Sequence, residues 1–300
     1  MRSSTPARPR HRLVGWLLLA SLAGCSGTPP STSPASTSPS RPRSLQSGRI
    51  VFSTFEDVYV ADVDGGGLRR LTHRGAHEFD ASWSPDGRWI AYRSEADGRP
   101  PDIWVMNADG SGQTRIARGL SPAWSPDGGK IAYADAQGSL SVMNPDGSGQ
   151  RQVPGTEQGE YPSWSPDGSQ LAFSTTQGGK EIYRVRLDGS GLTPLTDAPG
   201  EDWQADWSPD GQRIAFASQR DSEQGDVYVM NADGSQQRRL GEQHGFGPAW
   251  SPNGRQIVYA AGGGLYVMNA DGAQIVPVPL TGIGEAELPD WSADATGGQG

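Results

Sequence analysis

Three histidines outside the N-terminal segment, His73, His77 and His244, are the side chains best suited to hold a metal or move a proton. Imidazole is a common zinc ligand, and two histidines four residues apart share one face when the segment between them is helical. His73 and His77 enclose Arg-Gly-Ala, a composition that favours a loop, where the two rings need not converge. These residues are therefore candidate metal ligands only under an alternative interpretation, and the sequence predicts no resident metal and no other cofactor.

Motifs for covalent catalysis are missing from the sequence. It has no Gly-x-Ser-x-Gly nucleophile motif, its single cysteine is Cys25, and no acid and base stand at a diagnostic spacing. We name no catalytic residue and expect a binding or scaffolding protein rather than an enzyme. The alternative is an enzyme or sensor of the cell envelope that acts on glycans or peptides, and it would need a metal or a converging acid and base.

Aromatic and acidic residues gather just ahead of evenly spaced tryptophans, and they form the second candidate site. The residues are Glu78, Phe79, Asp80, Glu160, Tyr161, Asp202, Trp203, His244, Phe246 and Glu287. Such a mixture can hold a basic or extended peptide, stack on a sugar or bind a cation. The alternative is structural: the aromatic rings would plug the mouth of a central channel, and the acids would be solvated.

The tryptophans belong to six near-copies of one short string, spaced 40 to 43 residues apart. Four copies read Trp-Ser-Pro-Asp-Gly, the fifth has Asn253 in place of Asp, and the last keeps only Trp291 and Ser292. The copies begin at Trp83, Trp124, Trp164, Trp207, Trp250 and Trp291. A second string, which ends in Asp-Gly, recurs in phase with the first. A fixed period of this length, with four strand-sized pieces in each repeat, predicts an all-β propeller.

The repeated strings have the composition of tight turns. In Ser-Pro-Asp-Gly, proline presets φ at the second position, and Asp and Gly suit the third and fourth positions of a type I turn. We therefore predict a structural role for the residues at the third position, which are Asp86, Asp127, Asp167, Asp210 and Asn253. A metal ligand or a general base would tolerate the change from Asp to Asn less well.

These repeats resemble those of TolB-type propellers, a WD-like family that combines Trp-Ser-Pro-Asp-Gly with Tyr-Val-Met-Asn-Ala-Asp-Gly. The second string is best preserved at residues 228–234 and 266–272, and the resemblance extends over residues 48–294. It implies a six-bladed β-propeller of four-stranded antiparallel blades, with the tryptophan strand innermost in each blade.

The two ends of the repeat region are complementary. The region starts around Ile50 with the second strand of a repeat and ends around Trp291 with a first strand. Pairing these two strands would complete the sixth blade and would remove exposed edges that invite aggregation. The same strand order puts both repeated turns on one face, so the variable connections lie on the other face, where binding is expected.

The N-terminal segment has the features of a bacterial lipoprotein signal. Arginines precede an apolar run at residues 13–22, and the string Leu-Ala-Gly-Cys that ends at Cys25 resembles a lipobox. We expect residues 1–24 to be a cleaved signal peptide and the thiol of Cys25 to be lipidated; a plain secretory signal with a chance cysteine is the alternative. Residues 25–47, rich in Ser, Thr and Pro, are expected to form a disordered tether, and residues 295–300 a flexible tail.

Charge separates these parts. Residues 1–47 contain six Arg and no acid, which leaves 19 basic against 34 acidic residues and a net charge of about −15 beyond them. Nucleic acid is a poor partner for such a surface. We therefore expect a monomeric propeller outside the cytoplasm, attached to a bacterial membrane through its lipid alone: the outer membrane where there are two, otherwise the cell surface. Its expected partner is an envelope or extracellular protein, bound through the variable face.

Overall fold

The computed structural model describes residues 48–73, 75–96, 98–176 and 179–292. The expected signal peptide, Cys25, the tether and the tail lie outside these residues. Within the described part the chain forms 23 strands and no helix, and so no helix long enough to cross a membrane. The all-β class predicted from the repeats is confirmed.

The strands alternate with tight turns and with longer connections along the described chain. The first eleven are β1 Arg49–Ser53, β2 Val58–Asp62, β3 Arg69–Arg70, β4 His77–Trp83, β5 Trp89–Glu95, β6 Asp102–Asn107, β7 Thr114–Trp124, β8 Ile131–Asp135, β9 Ser139–Met143, β10 Arg151–Glu157 and β11 Gly159–Trp164. The others are β12 Gln170–Thr175, β13 Glu181–Arg186, β14 Thr193–Pro194, β15 Asp202–Trp207, β16 Arg213–Ser218, β17 Asp226–Asn231, β18 Arg238–His244, β19 Phe246–Trp250, β20 Gln256–Ala261, β21 Gly264–Asn269, β22 Val276–Pro277 and β23 Glu287–Ser292.

The strands form antiparallel sheets in which neighbours in sequence are neighbours in space. Four sheets have four strands each, in the orders β23-β1-β2-β3, β11-β12-β13-β14, β15-β16-β17-β18 and β19-β20-β21-β22. A fifth sheet has seven strands, in the order β10-β9-β8-β7-β6-β5-β4. The sheets therefore number five, because β7 is continuous: residues 114–118 pair with β6, and residues 119–124 pair with β8.

The last strand pairs with the first. Ile50 lies opposite Trp291 and Arg49 opposite Ser292 in an antiparallel ladder between β1 and β23. The sequence predicted this pairing from the missing first strand at the start of the repeats. It supplies the N-terminal sheet with an innermost strand made of residues more than two hundred positions away in the chain.

The hydrophobic core lies between adjacent sheets and, around Trp124, between the two halves of the seven-stranded sheet. Trp83 and Tyr92 of one sheet pack in a single cluster with Val51 and Val60 of the preceding sheet, and all four side chains are almost fully buried. Equivalent clusters form around the other repeat tryptophans. Because each sheet buries both of its faces against neighbours, the strands read as nearly continuous apolar runs.

The repeated turns have the predicted geometry. In the first copy, the amide of Gly87 donates to the carbonyl of Ser84 (2.9 Å), and the Ser84 hydroxyl donates to Asp86 Oδ1 (2.6 Å). The same serine-to-aspartate bond is 2.6 Å long at Asp127, Asp167 and Asp210. At Asn253 the corresponding bond is longer, at 3.1 Å.

Both kinds of repeated turn lie at the same end of the strands. We call the turn formed by Trp-Ser-Pro-Asp-Gly the inner turn of a repeat and the turn formed by the second string, which ends in Asp-Gly, the outer turn. The amide of Ala108, in an outer turn, donates to the carbonyl of Arg88, in the inner turn of the same sheet, at 2.8 Å. Matching bonds join Ala232 to Gln212 and Ala270 to Arg255. We call this side of the molecule the turn face, and the opposite side, with the variable connections, the loop face.

The turn carboxylates should contribute measurably to stability. The Ser208 hydroxyl lowers the pKa of Asp210, so its stabilisation is present above about pH 4 and is lost as the pH falls through that lowered value. We expect Asp210→Asn to lower the free energy of unfolding at pH 7 by about 0.5 kcal/mol, and Asn253→Asp to raise it by a similar amount. Urea unfolding at pH 7 checks both variants. Two variants that unfold like the wild type would contradict a role for the charge.

Candidate functional site at the central channel

The innermost strand of every repeat contains a β-bulge just ahead of its tryptophan. The residue three places before each tryptophan has a positive φ: Asp80 (52°), Ser121 (51°), Tyr161 (50°), Gln204 (55°), Gly247 (60°) and Leu288 (49°). The strand register shifts at the same places. Left-handed backbone costs a non-glycine residue about 1 kcal/mol, so this recurring geometry has to be stabilised by its surroundings.

The bulges surround a central cavity of about 410 Å³. Two positions of every repeat line it, together with five of the repeat tryptophans and, at the turn-face end, with Ser84, Pro85, Ser125, Pro126 and Pro252. The residues three places before tryptophan are Asp80, Ser121, Tyr161, Gln204, Gly247 and Leu288, and those one place before it are Ser82, Ala123, Ser163, Asp206, Ala249 and Asp290. Every repeat therefore contributes to one shared channel.

Of the ten residues predicted to rim the channel, only Asp80 and Tyr161 line this cavity. The predicted residues four places before a tryptophan, which are Phe79, Glu160, Trp203, Phe246 and Glu287, do not line it, because the bulge turns that position away from the wall. Phe246, for example, packs against the hydrophobic core beside β23. Glu287 is half-buried, and burial raises its pKa.

Two of the predicted acids lie in the protein interior and are not solvated. Glu78 is fully buried, and Asp202 is 1% exposed. Asp202 Oδ2 forms an ion pair with Arg220 Nη2 at 2.8 Å, so the buried carboxylate has its counter-ion. Glu160 is half-buried, and its Oε2 atom lies 3.9 Å from Lys180 Nζ.

The channel contains carboxylates that the rim prediction missed. Asp206 Oδ2 accepts the amide of Trp250 (2.8 Å), and Asp290 Oδ2 accepts the amide of Trp83 (2.7 Å). In both pairs the acid stands one place before a repeat tryptophan and binds the tryptophan of the following repeat. Ser163 makes the same kind of contact with the Trp207 amide, at 3.3 Å. These bonds tie neighbouring innermost strands together around the channel.

Burial raises the pKa of the channel carboxylates. That of Asp206 rises to about 7, because burial outweighs the amide of Trp250, which favours the charged form, and because Asp290 adds repulsion. Burial also raises the pKa of Asp290 and of Asp80, the latter against the opposing charge of Arg93. The channel therefore takes up protons in a pH range where exposed carboxylates are fully ionised.

The mouth of the channel on the loop face carries a cation beside these acids. Arg93 Nη1 lies 3.7 Å from Asp80 Oδ2, and its Nη2 lies 2.5 Å from Glu95 Oε2. The same guanidinium stacks over the ring of Phe79, 5.2 Å from its centroid. Tyr161 reaches the same region, and burial together with the charge of Asp80 raises the pKa of its hydroxyl.

Aromatic side chains extend this mouth over the loop face. Phe55, in the connection between β1 and β2, is 66% exposed. Its ring makes an edge contact with His77 (4.9 Å between centroids) and with Phe79 (6.1 Å). On a further part of the mouth, Lys180 Nζ lies 5.9 Å from the Tyr161 ring and 6.0 Å from the Trp203 ring.

The three candidate histidines do not meet in the described residues. His77 Nδ1 is 3.1 Å from the carbonyl oxygen of Phe55, and His244 Nδ1 is 2.8 Å from Asp226 Oδ1. His73 is exposed in the connection that leads from β3 to β4. Within the described ranges, no three His, Cys, Asp or Glu side chains group in a way that could hold a metal ion.

A pattern in the sequence indicates the two channel carboxylates, Asp206 and Asp290, that the rim prediction missed. Side chains alternate along a strand, so the residue just before a buried tryptophan faces away from the core that holds it. That position holds Ser, Ala, Ser, Asp, Ala and Asp in the six repeats. The two acids differ from the small residues of the other repeats and so indicate the channel-facing position. No sequence pattern predicts the contact of Arg93 with Asp80, because it depends on how two neighbouring strands of one sheet, β5 and β4, align.

Comparisons with known proteins agree with the repeat pattern. A family model described as the TolB beta propeller domain matches residues 117–295, more than half of the chain. An uncharacterized protein of Agrobacterium fabrum is 42% identical over 60 residues, which are 20% of this chain and 20% of that protein. The Tol-Pal system protein TolB of Syntrophus aciditrophicus is 38% identical over 58 residues, 19% of this chain and 13% of the relative. The matches thus span a fifth or less of those relatives.

A solved structure shares the fold. The crystal structure of TolB from Acinetobacter baumannii superposes with a TM-score of 0.69 and 21% sequence identity, over 82% of this chain and 66% of that one. At this identity the likeness concerns the fold alone.

The bond that Asp290 makes to Trp83 should matter for stability. Asp290→Ala would leave the Trp83 amide without its acceptor, which costs about 1 to 3 kcal/mol for a buried donor. Asp290→Asn keeps an acceptor oxygen and serves as the matched control. We expect a thermal midpoint several degrees lower for the alanine variant only. Equal midpoints for the alanine variant and the wild type would contradict the bond's contribution.

The raised pKa of Asp206 predicts a pH dependence of known sign. The folded state holds this proton up to about pH 7 and the unfolded state releases it near pH 4, so the stability contribution of Asp206 falls as the pH rises between these values. Asp206→Asn keeps an acceptor for Trp250 and has no proton to lose. We expect its stability relative to the wild type to increase by about 1 kcal/mol or more from pH 5 to pH 8. A constant difference across that range would contradict the shift.

Proposed function

The chain belongs to the TolB β-propeller domain family, and on that premise we propose that it is a binding module outside the cytoplasm. Its partner would be an envelope protein, of which an extended segment lies across the mouth of the central channel on the loop face. No catalytic step is assigned to the site.

The proposal includes a ring of six blades. We count the seven-stranded sheet as two blades, because β7 changes partner between residues 118 and 119. The six bulges, one for each repeat tryptophan, support this count, and so does the contribution of all six repeats to one channel. A continuous β7 is then the fourth strand of one blade and the first strand of the next.

The proposed location rests on the sequence of the N-terminal segment. A signal peptide at residues 1–24, a lipid on Cys25 and a tether to residue 47 would attach a monomeric propeller to the membrane by the lipid alone. Pro-rich chain extends by about 3.1 Å per residue, so such a tether would let the propeller reach roughly 70 Å from the lipid. The relative from Syntrophus aciditrophicus bears the name of a Tol-Pal system protein, which agrees with an envelope setting.

One observation carries the proposed binding site: exposed aromatic rings continue without a break into the polar channel mouth. From the solvent inward, Phe55 contacts Phe79, Phe79 stacks under Arg93, and Arg93 pairs with Asp80 in the channel wall. A phenylalanine that is 66% exposed buries little apolar surface in the free protein. Aromatic groups of this kind are enriched where proteins bind one another.

The chemistry of the mouth fits a peptide segment better than a single small ion. Apolar side chains of a partner could pack on Phe55 and Phe79, while Arg93 and Lys180 offer donors and Asp80 and the channel carboxylates offer acceptors. An extended peptide presents both backbone donors and backbone acceptors, so it can use both kinds of group.

The test is photocrosslinking in intact cells of the native host, with a photoreactive phenylalanine analogue at position 55. We expect one defined crosslinked species, because a partner segment on the mouth would cover this side chain. Trp203→Ala should reduce its yield at least about fivefold, since aromatic truncation at an interface typically costs 1 kcal/mol or more. Trp203 is only partly buried, so the fold should survive this change.

The matched control places the same analogue at Leu192, which is 44% exposed beside an outer turn on the turn face. Absence of the species there, together with its presence at position 55, supports the loop face as the binding surface. The same species at both positions, or none at position 55, would overturn the proposal.

A further inference from the structure

We propose that a groove on the turn face binds an arginine side chain from a basic segment of a partner protein. The groove lies across the seven-stranded sheet, opposite the channel mouth, and has a volume of about 440 Å³. The residues that give it its chemistry are Asp86, Trp89, Trp124, Asp127, Pro145 and Asp146. The site is independent of the loop-face site proposed above.

The repeats themselves indicate which group such a groove accepts. The residue just before the strand partner of each repeat tryptophan is Arg49, Trp89, Lys130, Gln170, Arg213 or Gln256. Where it is arginine, its guanidinium stacks on the tryptophan of the next repeat. Arg49 lies 4.7 Å from the Trp83 ring centroid, and Arg213 lies 4.6 Å from that of Trp250.

In the groove this position holds Trp89, and the next repeat tryptophan is Trp124. Trp89 cannot supply a guanidinium, and it is 41% exposed. Among the described residues, no arginine or lysine is found over the Trp124 ring. The place that Arg49 and Arg213 fill elsewhere is thus available to a guanidinium from outside.

Three carboxylates surround this place. Asp86, Asp127 and Asp146 each accept a serine hydroxyl through Oδ1 at 2.6 Å, which leaves Oδ2 as a second acceptor. Hydrogen bonds from serine lower the pKa of Asp127 and Asp146, and that of Asp86 is lowered despite its partial burial. All three are therefore ionised at neutral pH.

The cations next to these three carboxylates leave room for a further cation in the groove. Arg88 Nε is 3.9 Å from Asp86 Oδ2, but both side chains are largely exposed, so the pair is weak. Lys130 Nζ is bonded to Asn144 Oδ1 at 2.6 Å. Residues 48–300 carry a net charge of about −15, which also attracts basic partners over longer distances.

Arginine fits the combination better than lysine. Its planar guanidinium stacks on indole rings and binds carboxylate oxygens in pairs, whereas an ammonium is a compact, strongly hydrated charge. Pro145 replaces the Val, Ala or Leu of the other outer turns and gives the groove an additional flat apolar wall. Trp89 and Pro145 occur together in this groove alone among the repeats.

Isothermal titration of the full-length protein at 0.15 M salt tests the proposal. The probes are two capped pentapeptides, Gly-Arg-Gly-Arg-Gly and Gly-Lys-Gly-Lys-Gly. We expect the arginine peptide to bind at least about threefold more tightly than the lysine peptide, and Trp89→Gln, which copies the sister repeats, to weaken its binding at least about fivefold. Gln170→Ala, at the equivalent position of another repeat, should bind like the wild type.

Trp89→Arg provides a sharper variant. It copies Arg213 and should place an internal guanidinium over Trp124, so that the arginine peptide no longer binds while the thermal midpoint is kept. If Trp89→Gln fails to fold, the double variant Asp86→Asn, Asp127→Asn replaces it, because Asn253 shows that asparagine supports this turn. No binding by the wild type, equal binding of the two peptides, or undiminished binding by Trp89→Arg would overturn the proposal. Phe55 and Trp203 lie on the opposite face, so these results are independent of the loop-face test.

Discussion

A ring of sheets has to join its two ends, and here the six residues of β23 make this connection. Strand β23 pairs with β1 and gives the N-terminal sheet the innermost strand that its own sequence lacks. Asp290, in the same strand, accepts the amide of Trp83 from the following sheet. One short segment therefore closes the ring both by a backbone ladder and by a side-chain bond. Without it, β1 would be an open edge, the tryptophan core beside it would be exposed, and the channel would lose part of its wall.

The channel combines a structural role with a chemical one. Its carboxylates bind the amides of neighbouring tryptophan strands, so they cannot be removed without loosening contacts between sheets. The same burial that makes these bonds strong raises the carboxylate pKa values, because the charged form loses its hydration. The binding sites that we propose lie further out, around Phe55 on the loop face and around Trp89 on the turn face. The two faces thus differ in regularity. On the turn face the repeated turns are alike except at the groove around Trp89, and on the loop face the connections differ from repeat to repeat.

Much of the fold could be predicted from the sequence because its causes are local. Ser-Pro-Asp-Gly specifies its turn within four residues, and the period of the tryptophans follows from equal strands and turns. The ends could be matched because a repeat with one missing strand has a defined complement. The site was harder to predict. A bulge changes which residues face the channel, and the positive φ of Asp80, Tyr161 or Leu288 has no marker in residue type, since only Gly247 is a glycine. The burial of Asp202 likewise depends on Arg220, which lies in the next strand's connection and is paired only in the folded protein.

Hydrogen–deuterium exchange of the full-length protein tests ring closure most directly. If β23 completes the ring, backbone amides in residues 287–292 and 49–53 exchange as slowly as those of β15 and β16 in the interior of the repeat array, and they become exposed together in one cooperative step. If residues 287–292 instead exchange about a hundredfold faster than β15 and β16, the C-terminal strand frays independently, and the claim that it closes the ring is wrong.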